Sequence, residues 1–167
     1  MKKQIKWPLV LVLIAGLVIA LDQYTKALVR QNLAVGQGFA PIAWLGNFFQ
    51  ILHWKNTGAA FGFFQNANLL LMILTAMITV VLSAYFFSLK EGHAVVKTGL
   101  ALAIGGALGN LIDRIMQGHV TDFLSFGRFP VFNVADSAVT LGVALMILGM
   151  MLEAKHEYKK EAPETHE

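Results

Sequence analysis

The chain has no cysteine, and only 14% of its residues carry a charge. The first absence removes disulfides, thiol nucleophiles, thiolate metal sites and lipidation of the chain on cysteine. The second, beside 56% hydrophobic residues, excludes an ordinary soluble domain and points to an integral membrane protein. There is no Pro/Ser-rich linker, internal repeat or dividing charge block. Residues 1–155 are therefore expected to form one unit, followed by a polar tail at 156–167. The five histidines show no His-Glu-x-x-His spacing, and His119 with Asp122 is a poor metal pair. No phosphate-cradling glycine loop is present, and neither Ser125 nor Ser137 is spaced as a partner for Lys26 or Lys55. The net charge of +3 is spread over the ends of apolar segments rather than one soluble face, which excludes nucleic acid as a partner. Neither a metal nor another cofactor is expected.

Four apolar segments, at about 7–29, 69–89, 94–112 and 134–152, are long enough as helices to cross a hydrocarbon core of about 30 Å. The apolar pattern of the first continues past Ala20, so it is read as a retained span rather than a cleaved signal. The third contains Gly105, Gly106 and Gly109, small residues that let helix backbones approach closely. Lys2, Lys3, Lys6, Lys90, Lys97, Lys155, Lys159 and Lys160 fall on one side of this arrangement. Lys26, Arg30, Lys55, Arg114 and Arg128 fall on the other. The positive-inside rule places both termini in the cytoplasm. Between the first two spans, an outer segment at about 31–68 contains a strand-like run from Asn47 to Trp54, then a turn at Asn56–Gly58 entering a short helix. It is expected to build a small sheet at the outer interface, with Trp44, Phe48, Phe49 and Trp54 at headgroup level.

The acids sort by type. All six glutamates fall on the cytoplasmic side, whereas Asp22, Asp113, Asp122 and Asp136 lie at or beyond the outer ends of the spans. Helical spacing collects three polar stripes at similar depth: Asp22, Thr25 and Lys26; Gly106, Asn110, Asp113 and Arg114; Asn133, Asp136, Ser137 and Thr140. The stripes are expected to face one another, with Arg114 and Lys26 available to pair carboxylates. Asp122 and Asp136 bracket a short loop between the last two spans, and their burial there is expected to be partial. Two such carboxylates can share a proton and activate a water, as in an aspartic protease. A proton or ion relay through Asp22, Asp122 and Asp136, or a network that only orients the helices, fits the same residues.

Five blocks in order carry a resemblance: Asp22-Gln23-Tyr24-Thr25-Lys26, Asn56-Thr57-Gly58-Ala59-Ala60-Phe61, Gly105 to Arg114, Val120-Thr121-Asp122-Phe123, and Phe132-Asn133-Val134-Ala135-Asp136. Together they make roughly residues 8–152 resemble the lipoprotein signal peptidases, the bacterial signal peptidase II family. The resemblance implies a mainly α membrane protein of four transmembrane helices with a small periplasmic β-sheet cradle. It implies an aspartic endopeptidase of the bacterial inner membrane, with its site near the periplasmic face. Its partners would be membrane lipids and diacylglyceryl-modified prolipoproteins, cut just before the lipidated cysteine, and the enzyme would be a monomer. Asp122 and Asp136 fall on the catalytic positions. Asp22, Asn56, Gly106, Asn110, Arg114 and Asn133 fall on positions that bind substrate or support the site.

Overall fold

The computed structural model describes residues 6–46, 48–58, 68–90 and 93–161. In chain order the elements are α1 (Trp7–Asn32), β1 (Gly38–Phe39), a 3₁₀ turn (Ala43–Leu45), β2 (Phe49–Asn56), α2 (Asn68–Ser88), α3 (Ala94–Gln117), β3 (Val120–Phe126) and α4 (Val134–Glu161). All four α-helices are long and apolar enough to cross a membrane. Pro8 stands in the first turn of α1, where its missing N–H costs nothing. Gly118 ends α3 with φ 74°, a left-handed conformation open to glycine, and its amide donates to the Arg114 carbonyl at 3.1 Å.

The helices do not share burial equally. In α3, 56% of the apolar stretch is buried, against 22% at most in the others, so α3 is the axis of the bundle. It packs on α1, α2 and α4, whereas α2 packs substantially on α3 alone. Glycines make the α3 contacts possible. A Cβ on Gly106 would collide with the Ala135 carbonyl, and one on Gly105 would come within 2.9 Å of the Ala15 Cα. At the opposite end from the sheet, Trp7, Phe86, Val96 and Leu100 form a closed cluster. Lys97, counted above among the orienting charges, is buried there, its ammonium 5.5 Å from the Trp7 ring and 5.3 Å from that of Phe86.

The strands form one antiparallel sheet in the order β1-β2-β3. A register shift between Ile51 and Trp54 leaves Trp54 opposite Asp122 and Asn56 opposite Val120. Trp44, Phe48 and Trp54 are exposed, as an interfacial face requires. Phe49 departs from that expectation: it is half-buried and stacks on Phe126 at 4.7 Å.

Several expected bounds shift. The outer strand runs to Asn56 rather than Trp54, because pairing with β3 continues through Val120. The loop after α3 is itself a strand, β3. The third span continues to Gln117, since Asp113 and Arg114 are turned into a polar cluster instead of lipid. Helix α4 extends to Glu161, into the expected tail. The short helix expected after Gly58 lies outside the described residues.

Candidate active site

Asp122 lies on β3 and Asp136 in the first turn of α4, and three asparagines from three other positions hold them. Asp122 accepts the side-chain amide of Asn56 at 2.8 Å on one oxygen and that of Asn133 at 2.7 Å on the other. Asp136 accepts the side-chain amide of Asn110 at 2.7 Å and the backbone amide of Asn133 at 3.1 Å. Every oxygen of the pair thus faces an N–H.

Each asparagine can aim its NH₂ at an aspartate because its own oxygen is occupied. The Asn56 oxygen accepts the Gly58 amide at 3.0 Å, closing a local turn at the end of β2. The Asn133 oxygen accepts the Asp136 amide at 2.9 Å and so caps α4. The Asn110 oxygen accepts the Lys26 ammonium at 2.9 Å and the Asn133 amide at 3.1 Å.

Behind this layer lies an ionic one, in which Lys26, Asp22 and Asp113 are buried and Arg30 is half-buried. Lys26 also reaches Asp22 at 2.8 Å and Asp113 at 3.3 Å, which uses all three of its N–H groups. Asp22 accepts the Ala135 amide at 3.0 Å, tying α1 to the start of α4. Asp113 accepts the Thr121 amide at 2.9 Å, which pins β3 one residue before Asp122. Arg30 touches both Asp113, at 3.4 Å, and the Thr121 hydroxyl, at 3.1 Å. Gln23 bridges Asp22, Asp113 and the Gly109 carbonyl. Two carboxylates and two cations balance here, which a buried ionic cluster needs.

A cavity of about 1370 Å³ opens beside the pair. Asn56, Asn110, Arg114, Asp122 and Asp136 line its polar end; Ile78 of α2, Ala107 of α3 and Ala144 of α4 line the apolar remainder. Asn133, with no exposed surface, stands behind the pair. Asp22 and Gly106 are further back, the first a helix anchor and the second a point of close backbone approach. Arg114 departs from the expected ion pairing: among the described residues its guanidinium makes no salt bridge and reaches only the Gly58 carbonyl, at 3.5 Å. Arg30 pairs with Asp113 instead. Ser137 and Thr140 also line the cavity, but their hydroxyls donate to the Asn133 and Asp136 carbonyls, so that only Asn133 and Asp136 of that stripe join the hydrogen bonds of the pair.

Asp122 is also more deeply placed than expected, with 1% of its surface exposed, while Asp136 is half-buried. Burial, helped by the charge of Asp136, pushes the Asp122 carboxyl up to about 7; the amides of Asn56 and Asn133 and the charge of Lys26 oppose this only in part. Among the described residues no three His, Cys, Asp or Glu side chains converge as metal ligands. His119 Nδ1 lies instead 2.8 Å from the Gln117 carbonyl oxygen.

The chain has relatives of known family and fold. The profile of the family described as signal peptidase (SPase) II matches residues 14–152. A lipoprotein signal peptidase of Brevibacillus brevis is 39% identical over 145 residues, covering 86% of this chain and 95% of the relative. One of Moorella thermoacetica is 37% identical over 142 residues, covering 85% and 93%. One of Staphylococcus aureus is 34% identical over 154 residues, covering 90% and 93%. Among solved structures, a bacterial membrane enzyme determined by the in meso method at 2.3 Å superposes with a TM-score of 0.80 at 32% identity, covering 94% of each chain. A second, at 1.9 Å, gives 0.74 at 34% identity, covering 84% of this chain and 92% of that one.

Proposed function

The chain belongs to the signal peptidase II family, a multi-pass membrane peptidase that removes signal peptides from prolipoproteins, and we propose that it does so by aspartic catalysis at Asp122 and Asp136. The observation that carries this reading is the setting of the pair. Two carboxylates, each oxygen of which accepts an N–H, stand at the polar end of a groove that continues along the mainly apolar faces of α2, α3 and α4.

Asp122 is the acid. Its burial favours the neutral form, which can donate its proton to the scissile carbonyl oxygen and regain it when the tetrahedral intermediate collapses, while the proton that Asp136 takes from water goes to the leaving amine. Asp136 is the base: in the first turn of α4, as the acidic half of a capping box, it is placed to accept a proton from the attacking water. The water oxygen adds to the carbonyl carbon, the C–N bond breaks, and the amine leaves with the proton carried by the pair. Arg114, at the groove and without an ion partner among the described residues, binds a substrate backbone carbonyl.

The groove between α2 and α4 suits a hydrophobic signal helix. Ile78 and Ala144 each lie ten residues from the outer end of their helix, about 15 Å of rise. Substrate thus enters sideways from lipid and is cut just before a cysteine carrying diacylglycerol, whose acyl chains stay in the bilayer. That avoids a cost of about 0.8 kcal/mol for each CH₂ drawn into water. The enzyme works as a monomer in the bacterial inner membrane, with both termini cytoplasmic and the site at the periplasmic face.

The test is cleavage in vitro of a diacylglyceryl-modified preprotein beside its unmodified form. The modified one is expected to be cut and the other spared. Asp122→Asn and Asp136→Asn should each remove cleavage while remaining folded in membranes; near-normal turnover by either overturns the assignment.

A further inference from the structure

Of the three asparagines that hold the aspartates, two are oriented by backbone amides that the fold cannot misplace: Gly58 for Asn56 and Asp136 for Asn133. The third, Asn110, takes its orientation from side chains, the Lys26 ammonium and the Asn133 amide. We infer that Lys26 is a positioning residue of the reaction: by occupying the Asn110 oxygen it forces the Asn110 NH₂ toward Asp136. This rests on the reading of Asp136 as a catalytic group.

Reversing the Asn110 amide shows what is at stake. Its NH₂ would then face an ammonium and a second NH₂, and its oxygen would face the carboxylate of Asp136, a mismatch at all three contacts. Without Lys26 only one of the two groups enforcing the orientation remains. The ammonium is itself held without slack, since Asp22 and Asp113 take its other N–H groups and it has no exposed surface. It does not line the groove, so it touches neither water nor peptide there. Asn110 is the one group holding the aspartates to which Lys26 hydrogen-bonds, so its positioning effect passes through Asn110, apart from the charge it presents to Asp122. The balancing of Asp22 and Asp113 is a separate, purely structural duty, and the two can be separated.

The separation is a double-mutant cycle on cleavage of a diacylglyceryl-modified signal peptide in detergent. Lys26→Met should lower kcat by roughly tenfold or more and leave KM within about twofold, because the groove is untouched. In an Asn110→Ala background the same substitution should cost no more than about threefold further, since the group it acts through is gone. Losses that multiply across the two sites would overturn the inference and leave Lys26 a structural ion. Should Lys26→Met fail to fold, the charge-balanced Asp22→Asn/Lys26→Met variant, compared with Asp22→Asn alone, carries the same cycle. The side-chain oxygen that Asp22→Asn retains can still accept the Ala135 amide. Asp136→Asn is included as a control. Activity in that variant would sink the catalytic reading itself, whereas its loss together with multiplicative effects would sink only the role of Lys26.

Discussion

Asn133 and Asp136 hold each other twice: the side-chain oxygen of Asn133 accepts the Asp136 amide at 2.9 Å, and the Asp136 carboxylate accepts the Asn133 amide at 3.1 Å. This reciprocal pair is a capping box made with Asn and Asp in place of the usual Ser/Thr and Glu. It starts α4 and aims a carboxylate proposed as catalytic with the same two bonds. Because Asn133 also donates to Asp122, the residue that begins the helix is the one that couples the two acids.

The double duty of Asn133 can be taken apart. Asn133→Ala should lose the cap, at about 1 kcal/mol, together with most of the activity. Asn133→Ser keeps a capping oxygen but has no NH₂ for Asp122. It should therefore recover thermal stability while turnover stays at least about tenfold low. Thermal unfolding followed beside the cleavage rate checks this, and recovery of both together would show that only the cap matters.

The position of Asp122 predicts two pH dependences. Its carboxyl titrates at about 7 in the folded chain against an ordinary value of 3.8. The folded state therefore keeps a proton that the unfolded chain gives up, and stability falls as pH rises between those values. Asp122→Asn should unfold at higher temperature than the parent at about pH 8, with the gap closing toward about pH 4.

The same proton governs the rate. If neutral Asp122 is the acid, kcat should decline as pH rises through about 7. A profile that stays flat from about pH 6 to about pH 9 would be incompatible with that role.

The Arg114 guanidinium makes its only polar contact among the described residues at 3.5 Å, and the residue lines the groove. Arg114→Ala should reduce kcat/KM by roughly 10²-fold or more with little change in unfolding temperature. The opposite pattern, a lowered unfolding temperature with intact turnover, would make it a structural residue.

Gly106 is where α3 and α4 touch backbone to backbone nearest the aspartates, Gly99 and Gly142 making a second such contact. Gly106→Val should push the helices apart and cost about 1–3 kcal/mol or more, and it should move Asn110 away from Asp136. Loss of unfolding temperature and of activity are expected together; a silent substitution would mean that the helices pack elsewhere.

The four spans were legible because a run of about 20 apolar residues has one physical use. The polar stripes of α1 and α3 were legible from helical spacing, and Asp22, Lys26, Asn110 and Asp113 do meet. Strand β3 was not. Val120, Thr121, Asp122 and Phe123 are all buried, so there is no alternation between faces to betray a strand, and the partner strand lies far back in the chain. Arg30 was counted only as an outer charge, because nothing in its neighbourhood announces an ion pair with Asp113. Gln23 gave no signal for the same reason: its three partners come from α1 and α3 at once.

Among the described residues helix α2 has one substantial neighbour, α3, and the groove beside it is partly open. If substrate enters the groove from lipid, as proposed, each signal helix displaces acyl chains there. Binding is then an exchange within a two-dimensional solvent. The governing concentration is moles of substrate per mole of lipid, not moles per litre of water. Added inert phospholipid should slow cleavage by dilution even when the total volume is fixed, and apparent KM values are comparable only when quoted as mole fractions.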